Sequence, residues 1–113
     1  MQKPEQKQDP MYQLLKKGRI DEFNRRRSGG DACDLANADL RGIDLRNLDT
    51  ENINLAGAYL RHADLRGLDL RSANLEGASI NSAKISGTYF PESLTAEEIT
   101  LSLVHGTRLR QRA

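Results

Sequence analysis

The chain has 113 residues and a formal net charge of +1, lacks tryptophan, and is 4% aromatic. A chain of this length predicts one small domain with a modest core, which must be aliphatic because aromatic residues are so few. No apolar run of about 18 residues is present, so no membrane-spanning helix is expected. The balanced charge favours neither a uniformly basic nucleic-acid binder nor a strongly acidic mimic of nucleic acid.

Residues 1–30 are predicted to form a polar tail and two short helices that act as an N-terminal cap. The first ten residues, MQKPEQKQDP, lack the apolar segment of a signal peptide, and one cysteine cannot form an internal disulfide, so we expect a cytoplasmic protein. Asp9 can cap a helix that starts at Pro10 and ends near Gly18. Ile20 and Phe23 indicate a second helix, which should end at the glycines of residues 29–30.

Residues 31–92 are predicted to form a repeat domain, because a large apolar residue returns at every fifth position and only Thr50 interrupts the series. A helix would spread these residues over all its faces, and a straight strand would alternate them between two faces. The residue two places earlier is also mostly small or apolar, which indicates a short extended piece with two inward residues, followed by a turn. The predicted core residues are Leu35, Leu40, Leu45, Leu55, Leu60, Leu65, Leu70, Leu75, Ile80, Ile85 and Phe90.

The residues between the extended pieces also indicate turns, since Gly or Asn often occupies the second turn position, as at Gly42, Asn47 and Gly67. These residue types tolerate the positive φ that such a turn requires. Units such as residues 38–42, 63–67 and 73–77 resemble the pentapeptide repeat family, whose consensus is close to A-[D/N]-L-x-x, and the resemblance covers residues 33–92. It implies an all-β solenoid, a right-handed quadrilateral β-helix with four units per coil. The three coils would be residues 33–52, 53–72 and 73–92, and residues twenty apart should stack.

Residues 93–113 are predicted to form a C-terminal helical cap and a basic tail. Thr95 and Glu98 have the spacing of a capping box, and Gly106 can end the helix. Residues 99–103 also alternate as a strand would, and this alternative stays open. A solenoid needs capped ends, so we expect short α-helical caps on both sides. The two flanking segments resemble those of small stand-alone bacterial pentapeptide proteins.

No pattern of residues indicates catalysis, a cofactor or a metal site. Cys33 falls on an inward position and is interpreted as a packed thiol. His62 and His105 are far apart in sequence and lack the spacing of zinc ligands. The outward aspartates follow the repeat and are interleaved with arginines, which predicts solvated charge pairs rather than paired catalytic carboxylates. We therefore expect a protein that is not an enzyme.

The favoured hypothesis is a non-catalytic protein–protein interaction or scaffold module, because the outward residues of a solenoid are free to vary. Outward arginines on two adjacent sides would form a modest arginine-rich stripe, and the second helix adds a basic cluster. The candidate partner surface comprises Arg41, Arg46, Arg61, Arg66, Asp44, Asp64, Arg25, Arg26 and Arg27.

Three alternatives stay open. Some members of the family that it resembles mimic DNA and bind a topoisomerase (gyrase), but the mixed charge argues against that role here. Weak nucleic-acid binding could use the arginines of the second helix together with Arg108, Arg110 and Arg112, although we favour a solvated helix face and a frayed terminus. Apolar Leu94, Leu101, Val104 and Leu109 exceed the needs of one short helix face, which leaves a homodimer through an end cap as an alternative to a monomer. No membrane partner is expected.

Overall fold

The computed structural model describes residues 9–112, so the predicted polar tail of residues 1–8 lies outside the described residues. Three helices occur in this range: α1, Pro10–Lys16; α2, Ile20–Ser28; and α3, Ala96–His105. The helices α1 and α2 precede the repeat region, and α3 follows it. The long axis of the molecule is 36 Å and the two shorter axes are 26 and 25 Å.

The two N-terminal helices confirm the sequence prediction. The Asp9 carboxylate accepts hydrogen bonds from the amides of Met11 and Tyr12 at 2.7 and 3.3 Å, which caps α1. Tyr12 and Phe23 are fully buried, and the Tyr12 hydroxyl donates to the carbonyl of Asp39 at 2.9 Å. This bond and the apolar contacts place the helices over the first coil, where they cover its inward residues.

Between the caps, the chain returns alongside itself at a spacing of twenty residues. Parallel bridges join Asp39 to Tyr59 and Tyr59 to Ser79, and equivalent bridges occur along the other positions. The Leu40 amide donates to the Tyr59 carbonyl, and the Tyr59 amide donates to the Ala38 carbonyl, both at 2.9 Å. The predicted stacking of residues twenty apart is therefore present, while the right-handed quadrilateral β-helix stays a prediction.

The turns have the backbone conformation that the sequence indicates. Residues at the second turn position, taken every five from 37 to 87, have positive φ with the exception of Ser72. His62 and Ser82 adopt this conformation without being Gly or Asn, at φ values of 62° and 58°. In each such turn an inward carbonyl accepts from the amide three residues later, as Leu40 does from Ile43 at 3.3 Å. This repeated bend keeps every fifth side chain inside.

The core follows the predicted series except at its C-terminal end. Nine of the eleven predicted residues are buried, whereas Ile85 and Phe90 are only partly buried against the others. They belong to the last coil, which has no further coil to cover them. Thr50 is also buried, and its hydroxyl donates to the carbonyl of Asp69 in the next coil, so the polar group inside the series has a partner.

The C-terminal flank is helical and then extended. The Thr95 hydroxyl accepts from the Glu98 amide at 3.1 Å, and Gly106 ends α3 in the left-handed conformation, so the strand alternative for residues 99–103 is wrong. The frayed terminus is also wrong, because the tail packs along the third coil. Leu94 and Leu109, two of the four apolar residues assigned to a possible dimer contact, are likewise buried within the chain. The Gly77 amide donates to the Leu109 carbonyl at 2.8 Å, and the Leu109 amide donates to the Ala78 carbonyl at 2.7 Å.

Candidate partner surface

Outward aspartate and arginine side chains form a regular series of forked ion pairs. In each Asp-Leu-Arg unit the leucine points inward, so the aspartate and the arginine two residues later share the outer side. Within each pair, Nε and Nη2 of the arginine donate to the two carboxylate oxygens at 2.7 to 3.0 Å. The pairs are Asp39–Arg41, Asp44–Arg46, Asp64–Arg66 and Asp69–Arg71.

One interaction joins these pairs between coils. Arg46 of the first coil lies 3.4 Å from the Asp64 carboxylate of the second, measured from Nε to Oδ2. Asp44, Arg46, Asp64 and Arg66 therefore form one salt-bridge network. The Asp64 side chain is only 12% exposed, and the hydrogen bond from Arg66 holds the pKa of Asp64 well below its ordinary value. Hydrogen bonds from Arg71 likewise lower the pKa of Asp69 to about 2.

Most arginines of the predicted arginine-rich stripe are paired with aspartates, as the interleaving of the two residue types predicts. Arg41, Arg46 and Arg66 are each neutralised by an aspartate of their own unit. Arg61 differs because Tyr59 occupies the aspartate position of its unit, and its Nε instead lies 3.4 Å from Nε2 of His62. Among the four predicted outward arginines, Arg61 alone has no carboxylate partner within residues 9–112.

The predicted cluster of Arg25, Arg26 and Arg27 does not form one free basic patch. Arg27 is mostly buried, and its guanidinium donates to the Asp49 carbonyl at 3.0 Å. Arg26 lies within 3.9 Å of the carboxylate of Glu22 and within 3.8 Å of that of Asp31. Arg25 is exposed. The cluster therefore divides into a cap contact, a surface ion pair and one solvated cation.

The C-terminal arginines also have structural contacts that sequence reasoning missed. Arg108 donates to the Gly77 carbonyl and to the Tyr59 hydroxyl, both at 2.7 Å, and its guanidinium lies 5.0 Å from the centre of the Tyr59 ring. Arg110 donates to the Glu98 carboxylate at 3.0 Å and lowers the pKa of that group. One sequence feature could have indicated the contact of Arg108: Tyr59 occupies a repeat position at which an aspartate is common.

The remaining candidate residues are not brought together. Cys33 is partly buried against the core, and His62 lies at an exposed turn. Residues 9–112 contain no group of three or more His, Cys, Asp or Glu side chains arranged to hold a metal ion. In the same range, the helices are too short to include a segment that could cross a bilayer.

Comparison with known proteins adds one match. Residues 51–90 match the family model described as pentapeptide repeats, in eight copies. The matched residues include most of the second and third coils, and the parallel pairing extends the same register to the first coil, as between Asp39 and Tyr59. No curated protein and no solved structure matches the chain.

Proposed function

Because the chain is a pentapeptide repeat protein, we propose that it is a non-catalytic module that binds another protein. We also propose that its repeat region is a right-handed quadrilateral β-helix of three coils, which the parallel pairing at a spacing of twenty residues supports. The compartment we propose is the cytoplasm, since the single cysteine leaves the fold independent of internal disulfides.

The observation that carries the proposal is the salt-bridge network of Asp44, Arg46, Asp64 and Arg66. Each arginine fork uses Nε and one hydrogen of Nη2, so three of the five guanidinium N–H groups still point away from the carboxylate. Because the ion pairs hold these donors in place, a partner would lose less side-chain entropy by binding them. An acceptor-rich protein surface, with carbonyl and carboxylate oxygens, fits this face.

The same geometry argues against acid–base catalysis by the aspartates. A general acid or base works best with a pKa near the operating pH. The arginine hydrogen bonds shift the pKa of Asp39, Asp44 and Asp64 downward, and that of Asp69 to about 2. These carboxylates would stay ionised and paired at neutral pH.

A DNA-mimicking topoisomerase modulator is the second candidate, since some members of the family have that role. A mimic needs a surface dominated by negative charge. Here four outward aspartates are each paired with an arginine, so we rank this function below protein binding. Inhibition of gyrase supercoiling by excess protein would support it, and unchanged supercoiling would remove it. Nucleic-acid binding ranks third, because Arg27, Arg108 and Arg110 are already engaged.

Affinity capture with matched variants tests the leading proposal. The Arg46→Gln/Arg66→Gln protein removes both cations of the network, while Lys17→Gln/Arg19→Gln removes two exposed cations near the N-terminal cap. We expect a partner that is retained by the wild-type and control proteins and lost with the network variant. Capture of nothing reproducible at several salt concentrations, with all three proteins folded by circular dichroism, would contradict the proposal.

A further inference from the structure

The C-terminal end of the third coil is covered on only half of its perimeter. On the covered half, the Leu75 amide donates to the Gln111 side chain at 2.7 Å and the Gly77 amide to the Leu109 carbonyl at 2.8 Å. The Ile80 amide donates to the Ser102 hydroxyl at 3.0 Å, and the Ser82 amide donates to the Leu103 carbonyl at 2.9 Å. The tail and α3 therefore supply the acceptors that a fourth coil would have supplied.

Residues 83–90 form the other half, which we call the open edge. Within residues 9–112, the amides of Ile85, Gly87 and Phe90 have no hydrogen-bond acceptor, and the carbonyls of Ala83 and Thr88 have no donor. Unpaired groups in this arrangement are a template for another extended segment.

The coil below shows which bonds such a segment would make. The amides of Leu65, Gly67 and Leu70 donate to carbonyls nineteen residues later at 2.9, 3.0 and 2.7 Å. The carbonyls of Ala63 and Leu68 accept from the amides twenty-one residues later, both at 2.9 Å. The five unpaired groups of the open edge are the counterparts of these five groups, so an added segment in the same register would satisfy all of them.

The apolar side chains of the open edge lack cover, just as its backbone groups lack hydrogen-bond partners. Ile85 and Phe90 are only partly buried, whereas Leu65 and Leu70, their counterparts one coil earlier, are 0% and 1% exposed. Ile85 and Phe90, five residues apart, are therefore less covered than the residues that occupy the same positions one coil earlier. A segment that covers them needs large apolar residues with the same spacing.

We propose that the open edge binds an extended peptide segment of a partner protein, which adds as a further parallel segment and places two large apolar residues over Ile85 and Phe90. The proposal rests on the proposed function as a protein-binding module and names the chemistry of the partner. Binding would bury the two apolar side chains and pair five backbone groups that have no partner within residues 9–112.

The size of the open edge favours a peptide over a second copy of the chain. The shorter axes of the molecule are 26 and 25 Å, so half of the cross-section that they define has an area of roughly 300 Å². A stable protein interface buries roughly 800 Å² per partner, which is well above this area. The chain's own first eight residues, MQKPEQKQ, contain one large apolar side chain, whereas the open edge requires two at a spacing of five.

The test uses the intact protein and the ten-residue peptide ADLRGLDLRS, which copies residues 63–72, the segment that pairs with residues 83–92 in the coil below. In the inferred register, the amides of the second and seventh peptide residues donate to Ala83 and Thr88, while those of the third and eighth point away from the protein. We expect N-methylation at positions two and seven to weaken binding about tenfold or more. We expect N-methylation at positions three and eight to change it by less than about twofold.

Amide resonances locate the binding site, and the expected result is a shift confined to Ile85, Gly87, Phe90 and their neighbours. Equal losses from the two N-methylated peptides, or no binding at millimolar peptide, would overturn the inference. A concentration-dependent dimer that protects the same amides would also overturn it, since the edge would then be a self-interface. A captured partner that the network variant loses and the peptide does not displace would leave the proposed function standing and this inference rejected.

Discussion

Gly57 packs against Asn37, its counterpart one coil earlier, so closely that a β-carbon on Gly57 would overlap Oδ1 of the asparagine. Gly67 provides a matched comparison, because its φ of 76° is close to the 68° of Gly57 but nothing lies within 4 Å of its added β-carbon. Alanine at either site is strained by about 1 kcal/mol through positive φ. We expect Gly57→Ala to lower the free energy of unfolding by up to about 1 kcal/mol more than Gly67→Ala does, because the Asn37 side chain must rotate away, and chemical denaturation measures the difference.

The double variant Asn37→Gly/Gly57→Ala isolates the overlap. Asn37 has a φ of 60°, which glycine adopts readily. The double variant should therefore be destabilised by about as much as Gly67→Ala. If it is as unstable as Gly57→Ala alone, the asparagine is not the cause.

Leu65 and Ile85 occupy the same column in adjacent coils, but they differ in burial. Leu65 is fully buried and Ile85 is partly buried at the open edge. Truncation of a buried leucine costs about 2–5 kcal/mol through lost burial and the cavity that remains. We expect Leu65→Ala to fall in this range and Ile85→Ala to cost about half as much or less. Equal losses in urea denaturation would mean that Ile85 is covered in solution.

The sequence was sufficient to predict the interior of the repeat region, for a physical reason. Inward side chains must recur with the backbone bend, so the five-residue series predicts both the core and the stacking of Leu40 on Leu60. The first helix could also be predicted from the sequence, since Asp9 and Pro10 are local signals that need no tertiary contact. The series also placed Ile85 and Phe90 in the core, but their cover depends on the segment after the last coil, about which the repeat carries no information.

The charged surface was less predictable, because it depends on contacts distant in sequence. The alternation of Asp and Arg predicted charge pairing, but the single bridge from Arg46 to Asp64 spans eighteen residues. The tail was misjudged for the same reason. Leu109 lies outside the five-residue series, and its burial depends on contacts that are distant in sequence, with the core and through backbone hydrogen bonds to Gly77 and Ala78.

The paired aspartates make stability depend on pH in the acidic range. The arginine hydrogen bonds lower the folded-state pKa of Asp69 to about 2 and depress that of Asp64 further, whereas an unfolded aspartate titrates near pH ~3.9. The unfolded chain therefore binds more protons in this interval, and stability decreases as the pH falls from about 4 through about 2. We expect denaturation midpoints to fall over that range.

The variant Asp69→Asn removes one of these titrating groups and keeps the shape of its side chain. Its midpoint should decrease less steeply with acid than that of the wild-type protein, while the two proteins should show similar slopes between pH 5 and pH 7. An identical acidic slope for Asp69→Asn and the wild type would contradict the proposed linkage.

Arg108 and Arg112 are both exposed in the C-terminal tail, but only Arg108 holds the tail to the coils. The side chain of Arg108 bonds Gly77 and Tyr59, whereas that of Arg112 has no partner within residues 9–112. We expect Arg108→Ala to lower the free energy of unfolding by about 1–2 kcal/mol, because it removes two hydrogen bonds and a cation–π contact. Arg112→Ala should change it by less than about 0.5 kcal/mol. Limited proteolysis should release the tail faster from Arg108→Ala, and equal release rates for the two variants would mean that the remaining contacts, through Leu109 and Gln111, keep the tail in place.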